Sequence, residues 1–281
     1  MSMLKSSSCF ALVLAAALLS TTLVVAQDVP GIRLYVLDGG LLTNERPESY
    51  GLTQADVPEP NMAVPAFLIV HPRGTLLWDT GLGDDLRGRP VAETRFGRVV
   101  TASVKEQLAS IGYTPDRITF LALSHSHFDH VGNAKDYLGS TWLVQRPEWQ
   151  SVFGDDVSRP PLEFARFSGL KTSKTVLLDG DHDVFGDGTA VIKSTPGHTP
   201  GHQSLFLNLR RTGPIVLAGD LYHYPAERTK SAMPPREHAA GVTAASRAAM
   251  DAFLAKTGAA LWIQHDLVHW RELKKAPEYY E

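Results

Sequence analysis

The stretch Ser124-His125-Ser126-His127-Phe128-Asp129-His130 sets three imidazoles and a carboxylate within six positions, 125 to 130. Imidazole nitrogen and carboxylate oxygen are the donors that borderline divalent metals take, zinc foremost. Packing explains the cluster poorly, because each buried ring would need hydrogen-bond partners of its own. In an extended turn, alternation sends His125 and His127 to one side and leaves Asp129 and His130 facing a second point. Four donors in one loop exceed what one open catalytic zinc accepts, so two ions are implied. The remaining donors must come from distant segments: His198 in "STPGHTPGH", Asp220 in "LAGD" and His265 in "IQHD". Each has a plainer reading when taken alone. His198 fits a tight turn, Asp220 after Gly219 fits a turn residue, and His265 fits a core histidine. Asp79 in "WDTG" suits a residue that orients the ligand loop by hydrogen bonds. Asp266 either supports the site or faces solvent. His71, His182, His202, His238 and His269 read as ordinary surface or loop histidines.

Positioning such donors takes strands that end in the right places. "IRLYVLDGG" (32–40) reads as a strand closed by a Gly-Gly turn, and "AFLIVHPRGTLLWDTG" (66–81) as a hairpin around Pro72-Arg73-Gly74. Val100, Val104, Leu108 and Ile111 recur at helical spacing, with Gly112 where a C-cap falls. The apolar run "ITFLALS" (118–124) suits a buried strand leading into the histidine loop. "TWLVQ" (141–145), "TVLLDG" (175–180) and "TAVIKSTPG" (189–197) read as strands, and "HQSLFLNLRRTGPIVLAGD" (202–220) as a hairpin ending on Asp220. Thr243 is placed as the N-cap of a helix that buries Met250, Phe253 and Leu254 and stops at Gly258. A last short strand, "LWIQH" (261–265), delivers His265. His125, His198, Asp220 and His265 thus all fall at or just beyond C-terminal strand ends, where α/β proteins gather ligands.

The chain's 27 basic and 30 acidic residues leave a net charge of −3. The basic residues are scattered, so no field for nucleic acid exists. Lys5, the apolar run from Phe10 to Ala26 and the small residues before position 27 have the form of a secretory signal peptide cleaved after Ala26. The run is short for an anchor, which needs about 20 apolar residues. The expected product is periplasmic or secreted, without stable membrane insertion. Cleavage would remove Cys9, the only cysteine, leaving neither disulfide nor thiolate ligand. No Pro-, Gly- or Ser-rich linker divides residues 27–281, which read as a single domain.

"HSHFDH" followed by a lone histidine, a "GD" and a late histidine resembles the metallo-β-lactamase superfamily, from about Ile32 to the C-terminus. The resemblance implies an α/β fold, the αβ/βα four-layer sandwich, with the metals at one edge between the sheets. It implies His125, His127 and His198 on the first ion, Asp129, His130 and His265 on the second, and Asp220 bridging both. "VPAFLIVHPRGTLLWDTG", "TPGHTPGHQSL" and "HDLVHWRELKKAPEYYE" resemble, more narrowly, the N-acyl homoserine lactonase family, quorum-quenching enzymes that open a γ-lactone. Zinc β-lactamases generally lack a bridging aspartate or place cysteine near the second ion. Glyoxalase II-like thioesterases add a C-terminal helical domain, whereas one helix and a strand are read after residue 243 here. Nuclease branches carry an inserted domain and a basic groove.

The implied activity is hydrolysis of a small-molecule lactone or ester by a hydroxide shared between two divalent ions. Zinc is the expected metal, with iron, cobalt or manganese as alternative occupants, and Asp129 could shuttle the proton. The enzymatic alternative is hydrolysis of another ester, a β-lactam or an organophosphate. The non-enzymatic alternative is a metal-binding protein, and a homodimer is compatible with all of these. The lactonase family often has a tyrosine three residues after the bridging aspartate, contacting the substrate carbonyl. That position is His223 here, between Tyr222 and Tyr224, so the carbonyl-side donor is sought among these three.

Overall fold

The computed structural model describes residues 31–43, 45–91, 97–155 and 163–281. Residues 1–26, read above as a signal peptide, and Cys9 lie outside them. Among the described residues the first sheet contains β1 (Arg33–Leu42), β2 (Met62–His71), β3 (Gly74–Trp78), β4 (Arg98–Val99), β5 (Phe120–Ala122), β6 (Thr141–Gln145) and β7 (Thr175–Leu178), in the order β4-β1-β2-β3-β5-β6-β7. The second contains β8 (His182–Asp183), β9 (Ala190–Ser194), β10 (Gln203–Leu209), β11 (Gly213–Leu217) and β12 (Ala260–Trp262), in the order β12-β11-β10-β9-β8.

Alternation along the strands builds the layers. Leu34, Val36, Phe67, Ile69, Leu76 and Trp78 point between the sheets, where Ile192, Leu205, Leu207, Ile215, Leu217 and Trp262 meet them. Their neighbours Tyr35, Leu37, Ala66, Leu68 and Leu77 face outward, under α1 (Val104–Ser110) and α2 (Arg146–Phe153). Val216 and Ala218 face outward on the second sheet, beneath Met250 and Leu254 of α4 (Ala240–Thr257). With both faces of each sheet covered, the strands read as nearly continuous apolar runs. The result is the αβ/βα sandwich. Two short helices complete it, α3 (Pro225–Lys230) and α5 (Leu267–Glu272). No helix among the described residues is long and apolar enough to cross a membrane.

Three local expectations shift. The 100–111 helix starts only at Val104, because Ser103 caps it by accepting the Glu106 N–H at 3.2 Å. Helix α4 begins at Ala240 rather than after Thr243, whose buried hydroxyl donates instead to Glu237 Oε1 at 2.6 Å. Helix α5 adds one element beyond the helix and strand read after residue 243. Asp266 is its N-cap, accepting from the N–H groups of Val268 and His269.

Candidate metal centre

The donors converge because their strands run the same way. β3, β5 and β6 are parallel, β11 and β12 are parallel, and β9 follows the direction of β11 through the antiparallel β10 between them. His125, His198, Asp220 and His265 therefore leave C-terminal strand ends at one edge of the sandwich. Their donor atoms fall into two groups, each within 4.8 Å: His125, His127, His198 and Asp220, and then Asp129, His130 and His265. Asp220 divides its carboxylate between them. Oδ2 lies 3.5 Å from His125 Nε2 and 3.3 Å from His198 Nε2, while Oδ1 lies 3.2 Å from His130 Nε2 and 3.0 Å from His265 Nε2. Asp129 Oδ2 stands 3.6 and 3.4 Å from the last two nitrogens.

These residues fit divalent cations on three counts. Two donors sharing one tetrahedral zinc at about 2.0–2.1 Å sit roughly 3.3 Å apart, the spacing found across both groups. His125 Nε2, His130 Nε2 and Asp220 Oδ1 are buried without a hydrogen-bond partner; the 3.2 Å between the last two lacks hydrogen-bonding geometry. And the far ring nitrogens are already engaged, as those of metal-bound histidines are. His265 Nδ1 donates to the Ala63 carbonyl at 2.7 Å and His130 Nδ1 to Asp79 Oδ2 at 3.0 Å. His198 Nδ1 faces Glu237 Oε2 at 3.4 Å, and His125 Nδ1 lies 3.1 Å from Ser124 Oγ.

Electrostatics divide the donors. Burial disfavours the charge on Asp220, but His265, His130 and His125 outweigh it and hold the carboxyl well below the usual range. Burial, reinforced by His130, pushes His125 well below the ordinary imidazole range. Against the pull of burial, Asp220 and Asp129 hold His130 well above that range and Asp220 raises His198 and His265, so a bound cation would take the place of those protons; neutral imidazole is the ligand form.

The ligand loop is pinned from beneath. Asp79 accepts the Ser124 N–H at 2.6 Å, beside its bond to His130, so its orienting role holds. Thr80 donates its N–H and Oγ1–H to the His130 carbonyl. A Cβ on Gly132 would meet Leu82 backbone at 2.1 Å, which is why glycine occupies the loop's exit.

Several supporting residues escaped the sequence reading. Glu148, buried on α2, accepts from Ser126 N–H and Oγ–H through Oε1 and from Gly201 N–H through Oε2, tying two ligand loops together. Pro147 at the second helical position and the acid after it are a helix-start signal legible in the sequence. Gln264 accepts from Trp78 Nε1–H and Gly219 N–H while donating to Asp79 Oδ2, which joins the sheets under the centre. His202 is no surface histidine: it is fully buried, and its Nε2 accepts the Asp220 N–H at 2.9 Å. His71, also read as a surface residue, is buried at the other end of β2.

Of the three candidates for the carbonyl-side donor, only His223 reaches the centre. Its Nε2 lies 3.4 Å from Asp220 Oδ2 and its Nδ1 3.1 Å from Glu227 Oε1. Burial alone would lower its pKa, but Glu227 and Asp220 outweigh that and raise it to about 10. Tyr222 is corrected: it packs with Leu221 and Met250 under α4, with the Arg247 guanidinium 4.3 Å above its ring. The backbone there is extended (φ −144°, ψ 139°), so consecutive side chains part to opposite sides. Tyr224 donates its hydroxyl to the Pro60 carbonyl. A cavity of about 500 Å³ opens over the centre, with Leu42, Tyr50, Met62 and Phe128 on one wall and Arg236 and His238 at another.

The metallo-beta-lactamase superfamily profile matches residues 60–259, and the chain belongs to that superfamily. Within it, the N-acyl homoserine lactonase AttM of Azorhizobium caulinodans is 30% identical over 274 residues, 89% of this chain and 99% of that protein. The N-acyl homoserine lactonase AiiA of Bacillus thuringiensis subsp. kurstaki is 25% identical over 227 residues, 78% of this chain and 87% of its own length. Among solved structures, an N-acyl homoserine lactone hydrolase with N-hexanoyl-L-homoserine bound at its catalytic metal center aligns at a TM-score of 0.73 and 22% identity, covering 88% of this chain and 98% of that one. AidC, a dizinc quorum-quenching lactonase, aligns at 0.64 and 18% identity, covering 89% and 94%. At these identities the structural likenesses establish the fold.

Proposed function

We propose that this chain is a metal-dependent hydrolase that opens the ring of N-acyl homoserine lactones. The observation that carries the reading is Asp220, whose two oxygens are shared between two sets of imidazoles on the floor of a cavity. The kinship with proteins named lactonases supplies the substrate class. His125, His127 and His198 would hold one ion and Asp129, His130 and His265 the other, with Asp220 serving both. A donor set of nitrogen and oxygen alone suits zinc best. When bound, such ions supply an activated water and a Lewis acid for the ester carbonyl.

The chain's own residues supply the rest. His223, with Nδ1 committed to Glu227, turns Nε2 toward the cavity, and a proton there donates to the carbonyl oxygen as negative charge develops on it. Asp129, beside His130 and His265 in the cavity wall, accepts a proton from the attacking water. It returns that proton to the ring oxygen as the acyl C–O bond breaks, and the water's second proton passes from the new carboxylic acid to solvent, so the product leaves with a free hydroxyl and a carboxylate. We propose further that residues 1–26 direct export and are removed, and that 27–281 fold as one domain.

The test is a panel on purified, zinc-loaded protein with ion content measured alongside. Two ions per chain are expected, with kcat/KM highest on acyl homoserine lactones compared with a chromogenic β-lactam and paraoxon. A higher value on either of those replaces the substrate class, and one ion at full activity removes the dinuclear arrangement. Expression in a Gram-negative host should yield a product beginning at Gln27; an active cytosolic form retaining Met1 would refute export.

A further inference from the structure

The turn that carries Asp220 is held at both ends by one hydrogen-bonded chain whose chemistry fixes each proton in it. The Ala218 carbonyl can only accept, so Ser204 Oγ, 2.8 Å away, donates to it. Ser204 Oγ in turn accepts from Thr195 Oγ1 at 3.1 Å. With its own proton so used, Thr195 Oγ1 accepts from His202 Nδ1–H at 2.9 Å. The Thr195 carbonyl, another pure acceptor, lies 3.0 Å from the same nitrogen. An imidazole protonated on Nδ1 has a bare Nε2, and that atom accepts the Asp220 N–H at 2.9 Å. The chain thus begins at the carbonyl before Gly219 and ends at the amide after it. Thr195, His202 and Ser204 are all buried, so water offers the chain no alternative partners. Gly219 has a φ of +58°, and a Cβ on it would come within 2.6 Å of His202 Nε2, so the turn and the ring fit only with glycine between them.

We propose that His202 is a positioning residue for the metal centre: held in one tautomer by Thr195 and Ser204, it fixes the Asp220 backbone so that the carboxylate faces both ligand groups. With both ring nitrogens engaged, His202 is not a further ligand, although its ring lies 5.4 Å from that of His125. The proposal rests on the metal-dependent reading above. A histidine that merely filled the core would contribute to stability and leave the metals untouched.

The two roles separate in His202→Gln and His202→Leu. Glutamine keeps an acceptor near the reach of Nε2 and a donor for Thr195, whereas leucine keeps the bulk and offers neither. The purified variants are titrated with zinc against a chelator and, separately, with cobalt followed by its visible absorption. H202L is expected to bind its weaker ion about 10- to 100-fold less tightly, the usual effect of losing a residue that supports a ligand. Its cobalt band should shift, and kcat should fall more than KM rises. H202Q should recover most of the affinity and the spectrum. Wild-type affinity and spectrum in H202L, with only the melting temperature lowered, would overturn the proposal, as would an H202Q as impaired as H202L. If H202L does not fold, Ser204→Ala cuts the same chain at Ala218 and is read the same way, an unshifted cobalt band counting against the idea. Wild-type protein that binds no ion would instead refute the metal reading itself, a result distinct from any difference among variants.

Discussion

Strand β2 has a buried histidine environment at each end, and the two ends differ in one respect. At the His71 end, Nδ1 accepts the Arg73 N–H at 3.0 Å, Nε2 meets Asp187 Oδ2 at 2.9 Å, and the ring stacks on Phe185 at 4.2 Å. Both nitrogens are spoken for. At the Met62 end, His125 Nε2, His130 Nε2 and Asp220 Oδ1 are buried with no hydrogen-bond partner. An unmet buried polar atom costs about 1–3 kcal/mol. A fold that keeps three of them side by side, while meeting every need of His71, is built to be completed by something that takes lone pairs. Histidine burial alone does not mark a metal site; the unspent nitrogen does.

The comparison breaks most readily at Asp220. Asp220→Ala should lower lactone turnover by at least about 1000-fold, about 4 kcal/mol of barrier. Bound metal should fall below two ions per chain by elemental analysis, with the circular dichroism spectrum retained. Two ions at near-normal turnover would mean that the shared carboxylate is not needed.

Paired variants at the two ends sharpen it. His125→Asn should abolish tight binding at one ion while the metal-free protein melts near the wild-type temperature, because the lost nitrogen had no protein partner. His71→Asn should keep both ions and lose about 1–2 kcal/mol of stability, toward the low end for a hydrogen bond to a charged group because Asp187 is partly exposed. For a domain of this size that is about 2–8 °C in melting temperature. If the two variants exchange behaviours, the rule drawn from the unspent nitrogens is wrong.

The sequence disclosed the donors more readily than their supports, for a physical reason. The 125–130 loop is a local arrangement in which six neighbouring residues carry the signal together, and strand patterning places His198, Asp220 and His265 at the same edge. Asp79 was also readable, since it follows a strand beside the ligand loop. His202, Glu148 and Gln264 are single polar residues whose partners lie 18, 22 and 45 positions away. Nothing in their local sequence names those partners; only packed sheets bring them together. The choice between Tyr222 and His223 had the same character. Adjacent residues on extended backbone face opposite ways, and sequence cannot tell which of the two parities turns inward.

That parity gives the two smallest predicted effects, and they are informative only as a pair. His223→Phe should reduce turnover about tenfold, about 1.4 kcal/mol, with ion content unchanged. His223→Tyr, which restores a donor, should recover part of the loss. Tyr222→Phe should change turnover by less than about twofold, since its ring lies under α4 and the Arg247 contact to the ring face survives removal of the hydroxyl. The hydroxyl is the only group altered, so packing is preserved and any large loss of turnover would have to come from chemistry. Stopped-flow measurement on one lactone for all three variants decides the matter. A Tyr222→Phe enzyme slowed tenfold beside a normal His223→Phe enzyme would show that the loop turns the other way when substrate is bound.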